Sequence, residues 1–390
     1  MNTQRLKLRV LRTVCDFRVI FSGWLLMALI PWASKFLRDK FDLDYSIFYH
    51  SFWHAWQQMP LYIVYPEDSN YFLYGPLFAV LMSSLAVLPY QLGRLLWMLL
   101  VTFKPYWSIR KTSFSLRQQV FILWFIAAEA YLCILDSESN SLILAGLIFA
   151  YYLIDKEKDQ WAALVIALGA ATKLFGIVGL AFLPFSRHKL RLCLWVLVWL
   201  VLLLVLPMLV FGPEYVGQQY YEWYDVLAHK NELNQFAAGQ NVSLLGIVRK
   251  ISGDLWLIIP GMMLFAGPYL RFDQYRYPAF RQTILASVLM FLILFTTSSE
   301  SSGYIIAMTG VAIWYTAAPW KRGKWDVALM VFAFIITSMS PSDIFPKVVW
   351  RELIKPYSLK ALPVVLIWIK LTIELYTQDY EDRNATHTLL

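Results

Sequence analysis

The chain has 390 residues, of which 59% are hydrophobic and 15% charged, and its formal net charge at pH 7 is +8. This much apolar surface exceeds what a water-soluble core can bury, so the composition excludes a soluble globular protein and predicts a polytopic membrane protein. The basic excess falls mainly in short loops between apolar segments, which indicates orientation in a membrane rather than nucleic-acid binding.

Ten apolar segments are candidate membrane-spanning helices, since a helix needs about 17–25 residues to cross roughly 30 Å of hydrocarbon. In chain order they are residues 16–34, 91–105, 118–135, 140–154, 190–211, 255–270, 282–297, 303–318, 325–339 and 360–377. Two further apolar segments remain, residues 75–89 and 161–185. The second of these is uncharged apart from Lys173 in its middle.

Loop charges decide how the two remaining segments are interpreted. If both cross the membrane and the N-terminus is cytoplasmic, the basic loop 104–118 lies outside, against the positive-inside rule. If residues 75–89 instead form a juxtamembrane or re-entrant helix, that loop returns to the cytoplasm. The charged loops 155–160 and 186–191 are then also cytoplasmic, provided that 161–185 enters and leaves on the same side as two half-length helices.

We therefore predict an all-α polytopic membrane protein with about ten full spans. It also has a half-length helical hairpin with Lys173 at its tip, and residues 1–390 form one integral domain. The sequence contains no internal repeat and no low-complexity linker that would divide this domain. The segments predicted to lie on the outer face are residues 35–74, 136–140, 212–254, 298–303 and 340–358.

Lys173 is the first candidate site residue, because an ionisable side chain inside the membrane is costly and marks a functional site by default. If it faces an outer cavity it needs an anionic partner, and a lipid phosphate at headgroup depth is the natural candidate. The alternatives are a lysine paired with a buried carboxylate and one that snorkels from a helix end.

Asp44 begins the first outer loop and is followed at once by aromatic residues that include Tyr45 and Tyr49. A carboxylate here can act as the general base on a sugar hydroxyl, and an inverting glycosyl transfer needs such a base. Tyrosine rings in the outer loops offer faces on which sugars stack. The alternative for Asp44 is a solvated aspartate in a loop.

Other polar residues suggest weaker sites. His50 and His54 have metal-ligand spacing but no evident third ligand, so an interfacial helix is the favoured interpretation and no metal site is predicted. Asp136 and Glu138 either orient substrate, hold a divalent cation or form a solvated turn. Arg249 is a further phosphate contact or a charge at headgroup level. We predict no cofactor, with a divalent cation left open.

Several motifs occur in a recognisable order. After the first span come DYSIFY, MPLY, YP and YGPLF; later come SESNSLIL, GAATKLF and QNVSLLGIVRK. In order and spacing this series resembles glycosyltransferase family 87, over roughly residues 40–320. The resemblance implies a GT-C-type fold with juxtamembrane helices in the first outer loop, and a polyprenol-phosphate-mannose-dependent mannosyltransferase.

The resemblance also implies residue roles. Asp44 matches the aspartate that deprotonates the acceptor, and Lys173 matches a family lysine that we assign to the donor phosphate. Asn140, Asn241, Ser243 and Arg249 match motif positions that imply substrate binding. Many members carry a histidine in the late outer loop, where this chain has SSESSGY with Glu300, so we expect Glu300 to contact substrate.

The predicted function is an inverting membrane glycosyltransferase of the cell envelope. It moves a hexose, mannose by the resemblance, from a polyprenyl-phosphate donor to a lipid-linked or glycan acceptor, with the active site on the outer side of a bacterial inner or plasma membrane. Donor, acceptor and membrane lipids are the expected partners, and nucleic acid is not.

Two alternatives stay open. A glycan polymerase or ligase favours a larger outer loop rich in arginine, whereas residues 212–254 hold one arginine. A transporter or flippase favours duplicated halves.

Overall fold

The computed structural model describes residues 13–38, 42–68, 70–234, 241–252, 257–297 and 299–381, and within these ranges it contains helices and turns but no β-strand. The α-helices of the first half are α1 (Phe17–Leu37), α2 (Leu43–Trp56), α3 (Pro76–Ala86), α4 (Tyr90–Lys111), α5 (Leu116–Phe125), α6 (Ala127–Leu135), α7 (Asn140–Asp155) and α8 (Asp159–Thr172). A 3-10 helix, Leu174–Phe185, follows α8.

The second half of the chain is also helical in the described ranges. Its α-helices are α9 (Lys189–Phe211), α10 (Pro213–Asn234), α11 (Leu244–Ser252), α12 (Ile258–Ala266), α13 (Pro278–Leu294), α14 (Tyr304–Ala317), α15 (Lys324–Ala333), α16 (Lys347–Val349) and α17 (Leu362–Thr377). Short 3-10 helices lie at Gly267–Leu270, Phe272–Arg276, Ser301–Gly303 and Leu359–Ala361, and π-helical turns lie at Phe334–Met339 and Trp350–Ile354.

The all-α membrane architecture predicted from the sequence is confirmed, since each of the ten predicted spans contains a helix. In the described part of the chain, α1 and α9 are each long and apolar enough to cross a membrane. The pairs α3–α4, bent by 119°, and α5–α6, bent by 46°, also qualify when each pair is taken together. The total of ten spans stays a prediction.

Helix α9 presents apolar side chains to the outside along most of its length. Leu194, Leu197, Val201 and Leu209 are 53–78% exposed. Since exposed apolar surface of this extent marks contact with a partner or a membrane, this face of α9 is suited to hydrocarbon.

The hairpin predicted around Lys173 is present. Helix α8 ends at Thr172, Lys173 has an extended backbone (φ −146°, ψ 106°), and the 3-10 helix begins at Leu174. The two arms approach so closely that a Cβ atom on Gly176 would lie 2.2 Å from the carbonyl carbon of Gly169. Two glycines thus allow the chain to fold back on itself and leave the lysine at the apex.

The five segments predicted to lie outside meet at one end of the molecule. The hydrogen bonds that join them are Ser137 Oγ to Asp42 Oδ2 (2.7 Å), Leu61 N to Gln219 Oε1 (2.8 Å), Val242 N to Ser299 O (2.8 Å) and Ser358 Oγ to Asn241 O (3.0 Å). Gly75 N donates to Thr172 O (2.9 Å), which brings the tip of the hairpin to the same end. The grouping agrees with the predicted topology, while the identification of this end as the outer face rests on the loop charges.

Candidate active site

The Lys173 ammonium is held by neutral partners. Its Nζ donates to the Asn140 side-chain oxygen (3.2 Å) and to the Tyr74 hydroxyl (3.4 Å), and it lies 5.1 Å from the centre of the Tyr74 ring. Among the described residues no carboxylate comes within salt-bridge distance of it. An ammonium has three donors, so these two bonds leave capacity for an anionic ligand.

Both partners of Lys173 are themselves fixed by hydrogen bonds. Tyr74 is 8% exposed, and its hydroxyl shares a 2.7 Å hydrogen bond with Ser139 Oγ. The Asn140 amide nitrogen donates to a Glu138 carboxylate oxygen and, at 3.3 Å, to Ser302 Oγ. Because this amide donates to those oxygens, its own oxygen faces the lysine, and the network orients the ammonium.

Lys173 lines an apolar cavity of about 540 Å³. The cavity lies among helices α3, α4, α7 and α8 and the 3-10 arm of the hairpin. The apolar side chains of its wall include Phe78, Leu81, Leu85, Leu96, Leu100, Leu142, Ile143 and Val165. Glycines 146, 169, 176 and 179 keep part of the wall free of side chains. A cation in the wall of an otherwise apolar cavity suits a ligand with an anionic head and a hydrocarbon tail.

Asp44 lies in the first turn of α2, within electrostatic reach of Lys173. Burial and, to a smaller extent, the negative charges of Glu300, Asp136 and Asp42 raise the pKa of Asp44 to about 7, with Lys173 acting in the opposite direction. A carboxyl group with a pKa near neutrality is well matched to general-base work, since it is partly ionised and still basic.

Three other acids share this site. Burial, followed by the charges of Glu300 and Asp44, raises the pKa of Glu138, and burial raises that of Asp136. Glu300 acts on both Asp44 and Glu138 and is the residue before the Ser301–Gly303 turn. The raised pKa values of Asp44 and Glu138 favour their neutral forms, which reduces their repulsion of an anion bound at Lys173.

The structure therefore brings together six of the sequence-predicted residues. They are Asp44, Asp136, Glu138, Asn140, Lys173 and Glu300. Their roles in binding and catalysis stay predictions, whereas their proximity is a property of the fold.

Tyr45 and Tyr49, both predicted to contact substrate, pack against Tyr90. Tyr45 is completely buried, and its ring packs 5.2 Å from that of Tyr90. Gly93 makes room for it, because a Cβ atom there would lie 2.3 Å from the Tyr45 hydroxyl. The ring of Tyr49, which is half-buried, packs 5.3 Å from Tyr90. These positions give Tyr45 a packing role between α2 and α4.

Asn241 and Ser243 form the start of α11. Ser243 Oγ accepts from Gly246 N (2.9 Å) and donates to Asn241 Oδ1 (2.7 Å), as expected of a helix N-cap. Both residues are fully buried. Their contacts thus describe a structural turn, and substrate binding by them stays a prediction. Arg249 lies half-buried later in α11, and its contact with the donor phosphate also stays a prediction.

The two histidines pair with carboxylates within the first outer loop. His50 Nδ1 is 2.9 Å from Asp68 Oδ1, and His54 Nε2 is 3.3 Å from Glu67 Oε1. In the described ranges no group of three or more His, Cys, Asp or Glu side chains is arranged to hold a metal ion. The histidines therefore attach the loop to α2.

Sequence reasoning assigned no role to Tyr74, Ser139 or Ser302, although each contacts the lysine network. Tyr74 lies in the YGPLF motif and Ser139 directly precedes Asn140, so both were close to recognised motifs. Nothing local to Ser302 distinguishes it from the other serines of its loop.

The chain matches a known protein family. The model of glycosyltransferase family 87 matches residues 72–294, which is more than half of the chain and confirms the resemblance inferred from the motifs. The matched range includes Lys173 and Asn140, while Asp44 precedes it. No individual curated protein matches the chain.

Proposed function

The chain belongs to glycosyltransferase family 87 and is a glycosyltransferase, and we propose that its donor is a polyprenyl-phosphate hexose, with mannose as the sugar. The observation that carries this proposal is the position of Lys173, at the junction of an apolar cavity and an acidic cluster. The cavity suits the isoprenoid chain and the ammonium suits the phosphate, and we propose that the sugar and the acceptor meet at the acids.

In the proposed reaction the donor phosphate binds Lys173 Nζ, with the isoprenoid chain in the cavity. Asp44 removes the proton from an acceptor hydroxyl, whose oxygen attacks the anomeric carbon from the face opposite the phosphate. The bond between that carbon and the phosphate oxygen breaks, and the electron pair leaves with the polyprenyl phosphate. The product has inverted configuration, and the proton remains on Asp44 until it passes to solvent.

Lys173 acts on the leaving phosphate in the step that breaks the sugar–phosphate bond. As the sugar–phosphate bond breaks, the leaving phosphate gains negative charge, and an ammonium already fixed by Tyr74 and Asn140 stabilises it without reorganisation. Glu138 contributes by holding the Asn140 amide. The acceptor is proposed to be lipid-linked or a glycan on the outer side of a bacterial inner or plasma membrane.

The test of this proposal is Asp44→Asn. We expect transfer from polyprenyl-phosphate mannose to fall by about 10²- to 10⁴-fold, because the amide cannot accept the proton. Burial disfavours the charged form of Asp44, so the neutral amide is expected to keep the thermal midpoint of unfolding at or above that of the wild type.

The matched control is Asp343→Asn, an acid of the predicted outer segments that is 93% exposed and pairs only with Lys347 within the described chain. It should leave transfer unchanged. If Asp44→Asn transferred mannose at the wild-type rate, Asp44 could not be the general base. Parallel assays with polyprenyl-diphosphate donors distinguish the proposal from a glycan polymerase or ligase.

A further inference from the structure

Lys360 is a second buried lysine at the same end of the molecule, 4% exposed, in the 3-10 turn before α17. Its Nζ lies 3.2 Å from the carboxylate of Glu129, which is completely buried in α6. The same Nζ donates to the backbone oxygen and to the hydroxyl of Ser301, both at 2.8 Å. All three donors of the ammonium therefore have acceptors within the protein.

These contacts hold a short turn that reaches the active site. Ser301 lies between Glu300, whose charge acts on Asp44, and Ser302, which accepts from the Asn140 amide. The lysine itself is anchored, because Thr337 Oγ1 donates to its backbone oxygen (2.8 Å). A chain of contacts thus runs from a buried ion pair to the residue that orients Lys173.

We propose that Lys360 is a positioning residue for sugar transfer: its ammonium holds Ser301 and so fixes the 299–303 turn against the active site. Glu129 balances the charge of that ammonium. This inference rests on the proposed function for its effect on rate, whereas its structural part concerns the turn alone.

The test separates positioning from stability by comparing two variants. Lys360→Met leaves the Glu129 carboxylate buried without a partner, so we expect it to lower the thermal midpoint strongly. The double variant Lys360→Met/Glu129→Gln removes both charges, and we expect it to recover most of that midpoint. Neither variant can hold Ser301 through an ammonium. Lys370→Met, in α17, removes a partly exposed partner of Asp326 and is the control.

For the double variant we expect amide hydrogen exchange in residues 299–303 to be about tenfold faster or more, with the hairpin around Lys173 unchanged. Transfer from polyprenyl-phosphate mannose should show a kcat about 10- to 100-fold lower, because small misplacements at a reacting centre are costly. Donor KM should stay within about twofold, since the cavity and Lys173 are intact.

Wild-type kcat in the double variant, or unchanged exchange in the turn, would overturn the proposal. If the wild-type protein transfers nothing from this donor, the proposed donor is wrong. The exchange measurement then still decides whether Lys360 fixes the turn.

Discussion

The pH dependence of sugar transfer should report the ionisation of Asp44. With a pKa of about 7, the carboxyl group is about one tenth ionised at pH 6 and about nine tenths ionised at pH 8. Since only the ionised form accepts a proton, kcat/KM should rise nearly tenfold between these values and then level off. An aspartate at its ordinary pKa of 3.8 would give a flat profile over the same range.

The physical cause of the raised pKa can be tested separately. Glu300 is the first of the charged groups that raise the pKa of Asp44, so Glu300→Gln should move the midpoint of the profile to lower pH. Lys173 lowers that pKa, so Lys173→Met should move the midpoint upward. The acids interact, and the measured midpoint therefore belongs to the cluster.

The assay is the initial rate of mannose transfer from a short-chain polyprenyl-phosphate mannose by the protein in lipid nanodiscs, from about pH 5 to pH 9. The donor is a phosphodiester whose charge is constant over this range, so changes in rate reflect the protein and acceptor. The thermal midpoint is recorded at each pH as the control for folding. A flat profile in the wild type, or a midpoint that Glu300→Gln leaves in place, would refute the reasoning.

Two further predictions concern the hairpin. Lys173→Met should lower kcat/KM for the donor by roughly ten- to a hundredfold, since a hydrogen bond to a charged group contributes about 1.5–3 kcal/mol; an unchanged kcat/KM would separate Lys173 from the donor phosphate. Gly176→Ala should destabilise the protein by about 2 kcal/mol or more, because the added methyl group meets the backbone of Gly169, and thermal unfolding measures this. Its control is Gly217→Ala in α10, where nothing lies within 4 Å of the new Cβ and the change should be neutral or stabilising.

The helices and the hairpin were predictable because they follow from length, apolarity and loop charge. The conflict between residues 104–118 and the positive-inside rule made 75–89 a juxtamembrane or re-entrant helix. Placing both 155–160 and 186–191 in the cytoplasm then made 161–185 two half-length arms. The same argument placed Asp44 and Lys173 at one end of the molecule, where the fold brings them into electrostatic contact.

Features that depend on tertiary contacts were not predictable in this way. The segment 118–135 is interrupted at Ile126, where α5 and α6 bend by 46°. The end of 325–339 is a π-helical turn that bonds to the backbone of Lys360 through Thr337. Tyr45 faces inward because Gly93 leaves space for its ring on α4.

In the candidate site, too, some neighbours were predictable from the sequence and others were not. Motif positions located Asn140 and Lys173, which are neighbours through the fold as well as by resemblance. The pair of Lys360 and Glu129 joins residues far apart in the chain. Glu129 is the one charged residue of the predicted span 118–135, but nothing in the sequence pairs it with Lys360. Ser243, predicted by the resemblance to bind substrate, makes the hydrogen bonds of a helix cap.

A structure of the protein in lipid nanodiscs with a bound short-chain polyprenyl phosphate tests the central claim most directly. We expect the isoprenoid chain between α3 and α7, the phosphate within hydrogen-bond distance of Lys173 Nζ, and the Asp44 carboxylate facing the opposite side of the space left for the sugar. A phosphate bound away from Lys173, or an isoprenoid chain outside this cavity, would contradict it.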